Sequence, residues 1–294
     1  MNSESKNELG PLDELFHRVG TYRRGPELRD LFQFIKQFPR IAPFNAFLLH
    51  VQRPGSWFVA SADEWLNLYE RTIKPGANPL VILWPFGPVR FVFELNDTEG
   101  RPFPEELMEP FKVAGQVCFE MADRLLRNLP IVGVRLNWAN HGTDRAGSIQ
   151  RAGQRYRVPH KGKFLSMDFD MVINRNLQDE AQIVTIAHEL GHLLCGHLGW
   201  VKGDNGFPSR PHVDQNVAEF EAESVAWLVS ERIGIANPSE KYLADYLDKD
   251  GTVPSISLEA VLKAAGIVEN MLRGVQKPLK AFVEDPPSKK TATT

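Results

Sequence analysis

At 294 residues, 43% hydrophobic and 24% charged, the chain can bury a core of its own and is long enough for one large domain or two modest ones. A net charge of -3 excludes a protein that coats nucleic acid over its whole surface and leaves room for a local basic patch only. Two cysteines, Cys118 and Cys195, exclude a disulfide framework and a cysteine-rich zinc module and fit a reducing compartment. The start "MNSESKNELG" lacks an apolar leader core, and no later run approaches about 18 uncharged apolar residues, so a cytoplasmic protein with no membrane partner is expected.

In chain order, residues 1–11 are polar with nothing to pack and are expected to be disordered, as is the Pro- and Ser/Thr-rich tail 284–294. Apolar residues at helical spacing (Leu15 and Val19, then Leu28, Leu31, Phe32 and Ile35) predict two helices over 12–38 broken by "RRGPE", and "FNAFLLHVQ" after Pro43 predicts a third. The short runs "WFVA", "LVILWPF" and "VRFVFEL", punctuated by Pro and Gly, predict a small sheet over 56–96. Their aromatics, with Trp57, Phe58, Trp65, Trp84, Phe86, Phe91 and Phe93 at strand spacing, favour core packing over a base-stacking platform. A long helix is predicted from Pro104 to about Leu129 and a strand at "IVGVRLNW". Residues 135–163 then carry Arg135, Arg145, Arg151, Arg155, Arg157, Lys161 and Lys163 against Asp144 alone, and their glycines predict a mobile cationic connector, more often solvated than bound to nucleic acid. "FLSMDFDMVINRN" alternates as a strand; helices follow over 179–198, about 217–233, at "KYLADYLDKD" and at "SLEAVLKAAGIVENMLRGV", with a Gly/Pro/Asn loop at 203–216. Short strands mixed with helices make this an α+β chain.

The helix over 179–198 holds "TIAHELGHLLCGHLGW", three histidines and a glutamate in an otherwise apolar run. His188, Glu189 and His192 form H-E-x-x-H, and because positions i and i+4 share one helix face the two imidazoles can converge on one cation. Glu189 falls beside the open position of that cation, where it can act as general base toward a water whose pKa zinc lowers to about 7. The spacing therefore predicts hydrolysis by metal-activated water, with one Zn2+ per chain. Cys195 lies in the same apolar helix, where burial raises a thiol's pKa and makes it a poor nucleophile.

His197 is nine residues after His188, and on a continuing helix at about 100° per residue it would point away from His188, so helix capping is expected of it and ligation is not. The third ligand should be a carboxylate on a later helix, where "AEFEAESVAWLV" offers Glu219, Glu221 and Glu223. If Ala218, Ala222, Val225 and Val229 mark the buried stripe, Glu221 lies about 60° from its centre, with Glu219 and Glu223 near 100° and 140°. A core-facing carboxylate asks for a cation, which predicts Glu221 as the ligand and Glu219 and Glu223 as solvated charges. His212, Tyr156 and His160, in the flanking segments, are the candidates to stabilise an oxyanion.

"HELGHLLCGH" followed about 30 residues later by "EAESVAWLV" resembles the ImmA/IrrE family of zinc metallopeptidases, a gluzincin-like group, over roughly residues 115–235. The resemblance implies a zincin-like core with His188, His192 and Glu221 as ligands, Glu189 as base, and "DFDMVINRN" as an edge strand lining a substrate peptide. "PFNAFLLHVQRPGSWFVASADEW" and "IKPGANPLVILWPF" look like the front module of ArdC-type antirestriction proteins, as does the end of the chain, which implies a single-stranded-DNA-binding module. The implied plan is a module over 12–115, a metallopeptidase domain over 116–235 and packed helices over 236–283. The implied activity is endoproteolysis of a cytoplasmic, regulatory or repressor protein; the alternative is an antirestriction-type or DNA-associated binding protein with a structural zinc site.

Overall fold

The computed structural model describes residues 25–84, 87–104, 119–140, 146–199, 208–235, 253–274 and 277–286. The helix expected near Leu15, the first part of the helix from Pro104, the helix at "KYLADYLDKD", and Phe86, Cys118 and Arg145 lie outside them. The described elements are helices α1 (Gly25–Lys36) and α2 (Pro43–Gln52), strand β1 (Val59–Ala60), α3 (Ala62–Tyr69), and strands β2 (Arg71–Ile73), β3 (Leu80–Trp84), β4 (Gly87–Glu94) and β5 (Thr98–Gly100). They continue with α4 (Phe119–Asn128), β6 (Val134–Ala139), β7 (Gly147–His160), β8 (Lys163–Asn174), α5 (Asp179–Leu194), α6 (Gln215–Ile233), α7 (Leu258–Arg273) and β9 (Val283–Glu284). The fold is α+β, and among the described residues no helix is long and apolar enough to cross a membrane.

The sheet that supports the motif helix has the order β6-β8-β7, with β6 parallel and β7 antiparallel to β8, and β9 pairing with the start of β8. Two expectations fail here. "DFDMVINRN" lies in the central strand rather than at an edge, and residues 147–160 of the cationic connector form the 14-residue strand β7, one of the two edges. The signs of both were masked by charge. β8 is buried from Leu165 to Phe169, as a central strand should be, but Asp168 and Asp170 give it a polar alternation. Those aspartates take Arg155 and Arg135 at 2.7 Å each, while Arg157 pairs with Glu284 at 2.7 Å and Arg151 donates to the Leu198 carbonyl at 2.7 Å. The same contacts place Glu284 in a strand, against the disorder expected from there on; the ends expected to be disordered, 1–11 and 287–294, lie outside the described residues.

One continuous core joins this sheet to α1, α2, α4, α5, α6 and α7. A buried Arg232 fastens α7 to the α1–α2 connection: it pairs with Glu269 of α7 and donates to the carbonyls of Ile35, Phe38 and Ile41 at 2.6, 3.1 and 2.8 Å. Helices α1 and α2, which the sequence groups with the front module, therefore pack in the main core, and a separate small cluster forms only within 57–103. There Ala60, Trp65, Leu95 and Phe103 are buried, with Trp57, Phe58, Tyr69 and Phe93 against them. This confirms core packing for most of the aromatics; Trp84 and Phe91 stay exposed, with Arg90 standing 4.6 Å over the Trp84 ring. Helix α3 had a sequence sign that the short-strand pattern obscured, the capping box Ser61-x-x-Glu64, whose reciprocal hydrogen bonds are both present.

Candidate metal centre

Helix α5 buries Ile183, Ile186, Ala187, Leu190, Leu193 and Leu194, which turns His188 and His192 toward α6. The two helices cross where Gly191 meets Ala222, and a Cβ on Gly191 would stand 2.8 Å from the Ala222 Cα. Only a residue without a side chain permits that approach. It sets Glu219 and Glu223, one turn apart on α6, against the two histidines.

Glu219 Oε2 lies 3.4 Å from His188 Nε2 and 3.5 Å from His192 Nε2, and His188 Nδ1 is 3.0 Å from Glu223 Oε2. One ligand atom from each of His188, His192 and Glu219 falls within 4.8 Å of the others. Two imidazoles and one carboxylate converging on a point suit zinc or another first-row divalent ion. Glu189 is buried in the same helix turn and acts on the charge of His188. Burial pulls the His188 imidazole down, but its hydrogen bonds to Glu219 and Glu223 outweigh this and push it up to about 10. Hydrogen bonds from His188 and His192 hold Glu219 far below the usual carboxylate range. His192 is pushed down, first by burial and then by its cationic neighbour His188, against the pull of Glu219. The carboxylates of Glu189, Glu219 and Glu223 around His188 favour positive charge at the site.

Glu221, expected as the third ligand, does not face the histidine pair. It is fully buried, as its phase on the helix required, but its counter-charge is Arg210, whose guanidinium grips both oxygens at 2.7 and 2.9 Å. His197 Nε2 at 2.8 Å and the Ser257 backbone N–H at 2.6 Å complete its shell. The phase argument assumed a single buried stripe, whereas α6 is buried on almost every side from Ala218 to Arg232, so facing the core did not single out the side facing α5. Glu219 and Glu223 are the carboxylates brought to the site. Their four-residue spacing was a legible sign, since it puts both on one helix face. Arg210, at the end of a loop, carried none.

His197 also departs from expectation. Helix α5 stops at Leu194, and Gly196, with φ of 84°, turns the chain back so that His197 Nδ1 comes 3.0 Å from His192 Nδ1. Among the described residues, Tyr156, His160 and His212 make no polar contact with His188, His192 or Glu219. Tyr156 lies under the Arg135 guanidinium at 3.8 Å, His160 pairs with Lys163 at the β7–β8 turn, and His212 is exposed ahead of α6.

Residues 151–222 match the family model of the IrrE N-terminal-like domain, a peptidase family. The matched span runs from β7 into α6 and contains both histidines, Glu189, Glu219 and Glu221. No curated protein matches the chain. Among solved structures, the Mn(II)-bound antirestriction protein ArdC from plasmid R388 aligns over 86% of this chain and 98% of its own, at 14% identity and a TM-score of 0.33.

Proposed function

We propose that this chain, with its IrrE N-terminal-like domain, is a zinc-dependent endopeptidase that cuts a protein substrate, with His188, His192 and Glu219 as the ligands. The observation that carries the reading is the convergence of the two Nε2 atoms with the Glu219 carboxylate. The domain match to a peptidase family supports it. Bound there, the ion supplies Lewis acidity, which polarises a carbonyl and makes water acidic enough to be deprotonated near neutral pH. Glu189 takes a proton from the attacking water and delivers it to the departing amine. Glu223 accepts from His188 Nδ1, which keeps that ring turned with Nε2 toward Glu219. Burial of Glu189 keeps competing water away from its carboxylate.

The test compares cells producing the wild type with cells producing Glu189→Gln, which keeps the shape of the site and removes the base. New protein N-termini found only with the wild type are expected. The same set in both, from protein shown to hold zinc, would refute peptidase action by this site.

A further inference from the structure

We propose that the chain pairs with a second copy of itself through the outer face of the β3–β4 hairpin and the adjoining flank of α2. The inference stands apart from the metal centre and holds or fails without it.

The hairpin has two unlike faces. Val81 lies opposite Phe91 and Leu80 opposite Val92, so side chains on the two strands alternate in step. Leu80, Ile82 and Val92 are buried in the main core, which sends Val81, Leu83, Val89 and Phe91 to the other side. There Leu83 is 48%, Val89 41% and Phe91 56% exposed. Helix α2 extends this face. Its Asn45 and Gln52 turn to β3, and Ala46 and Leu49 are buried on the core side of that direction. At about 100° per residue, Leu48 and Val51 then fall on the opposite side, that of the outer face, and Val51 is 47% exposed.

Hydrogen bonding, charge and area select the occupant. The Asn45 carboxamide donates to the Leu83 carbonyl and accepts from the Leu83 N–H at 3.0 Å each, and Gln52 does the same to Val81 at 2.8 Å each. These amides close the edge of β3, so a partner stacks on the face and does not add a strand. From Leu80 to Phe93 the single charged residue is Arg90, and α2 contains no Lys, Arg, Asp or Glu. Arg90 is in register with Ile82, on the core-facing side, and meets Glu64 at 2.8 Å. The face therefore offers no cation to a nucleic-acid phosphate or an anionic lipid. At a two-fold axis a charged face would meet its own charge, whereas a neutral apolar one matches its image. The exposed parts of Val51, Leu83, Val89 and Phe91 amount to roughly 300–350 Å², a size that marks interaction sites on monomers. Because interfaces are only about 57% apolar, such a centre implies about 600 Å² buried on each copy, the lower end of what a specific dimer needs.

Sedimentation velocity of the full chain, from low-micromolar to several-hundred-micromolar concentration, tests the pairing. The wild type should pass from the 33.2 kDa monomer to a dimer. Phe91→Lys and Leu83→Lys should each stay monomeric where the wild type is a dimer, with little change in the melting temperature of the dilute protein, because both sites are exposed. Val158→Lys, at an exposed apolar residue of β7, should dimerise like the wild type. A wild type that is monomeric throughout, or a dimer that persists in both hairpin variants, would overturn the proposal. Should the variants not fold, hydrogen exchange of the wild type decides. Amides of 43–52, 80–84 and 87–94 should exchange more slowly at high concentration than at low, and equal rates would refute the pairing. A monomer that binds oligo-dT as wild type but not as Phe91→Ala would also overturn it and assign the face to nucleic acid.

Discussion

Three carboxylates, Glu189, Glu219 and Glu223, act on the imidazole of His188, and this local charge makes the stability of the metal-stripped protein depend on pH. His188 is raised from its ordinary 6.5 to about 10, so its stabilising contribution is complete below 6.5 and is lost as pH rises through about 10. His192 is lowered, so the fold resists its protonation and stability declines as pH falls below 6.5. Glu219 adds to the acid side, because a depressed carboxylate contributes above 4.5 and loses that contribution on acidification. Thermal melts of chelator-treated protein should peak near neutral pH, and His188→Gln should flatten the alkaline limb; an unchanged limb in that variant would contradict the assignment. Glu219 and Glu221 should separate on mutation. Glu219→Ala should lose zinc and, because Glu219 is only half-buried, should lower the urea midpoint of the stripped protein by less than Glu221→Ala does. Glu221→Ala leaves Arg210 buried without its counter-charge, and should lower stability by about 3–5 kcal/mol. Metal analysis beside urea denaturation distinguishes the two.

At the level of elements, the site depends on how closely α5 and α6 approach and on where α5 stops. Gly191→Val would drive a side chain into the Ala222 backbone, 2.8 Å from where the Cβ begins. Separating the helices should cost about 1–3 kcal/mol and pull Glu219 away from the two histidines, so zinc affinity should fall together with the melting temperature. Wild-type affinity in that variant would mean that the crossing is not what assembles the ligands. Gly196 is the second fixed point: its φ of 84° and a Cβ that would sit 2.0 Å from the Pro208 carbonyl oxygen leave room for glycine alone.

Across the whole molecule, Arg232 joins α6, α7 and the carbonyls that end α1 and lead into α2. Both members of the Arg232–Glu269 pair are buried, at 1% and 2% side-chain exposure, so removing one leaves a naked charge in the core. Glu269→Ala should therefore destabilise by about 3–5 kcal/mol, read as a shift in the urea midpoint. Because the same arginine holds the chain near residue 38, a deletion of residues 25–52 should unfold the metal centre as well. The cluster at 57–103 packs mainly within itself, and loosening it through Trp65→Ala should leave zinc binding intact.

The sequence alone determined the α+β class, the H-E-x-x-H helix with His188 and His192 on one face, the later glutamate-bearing helix, and the burial of Glu221. These rest on local periodicity, which a few turns of chain set by themselves. Which glutamate meets the histidines was decided by tertiary structure, because a helix buried on almost all sides has several inward directions and periodicity does not say which one faces α5. The same holds for Glu221, whose burial was legible but whose partner Arg210 lies across a loop. His197 lay beyond a one-helix view because a single left-handed glycine ends the helix and reverses the chain, so that a residue expected to point away returns to its neighbour. Strand β7 was hidden because its arginines read as solvated charge until the sheet supplied Asp168 and Glu284 opposite them.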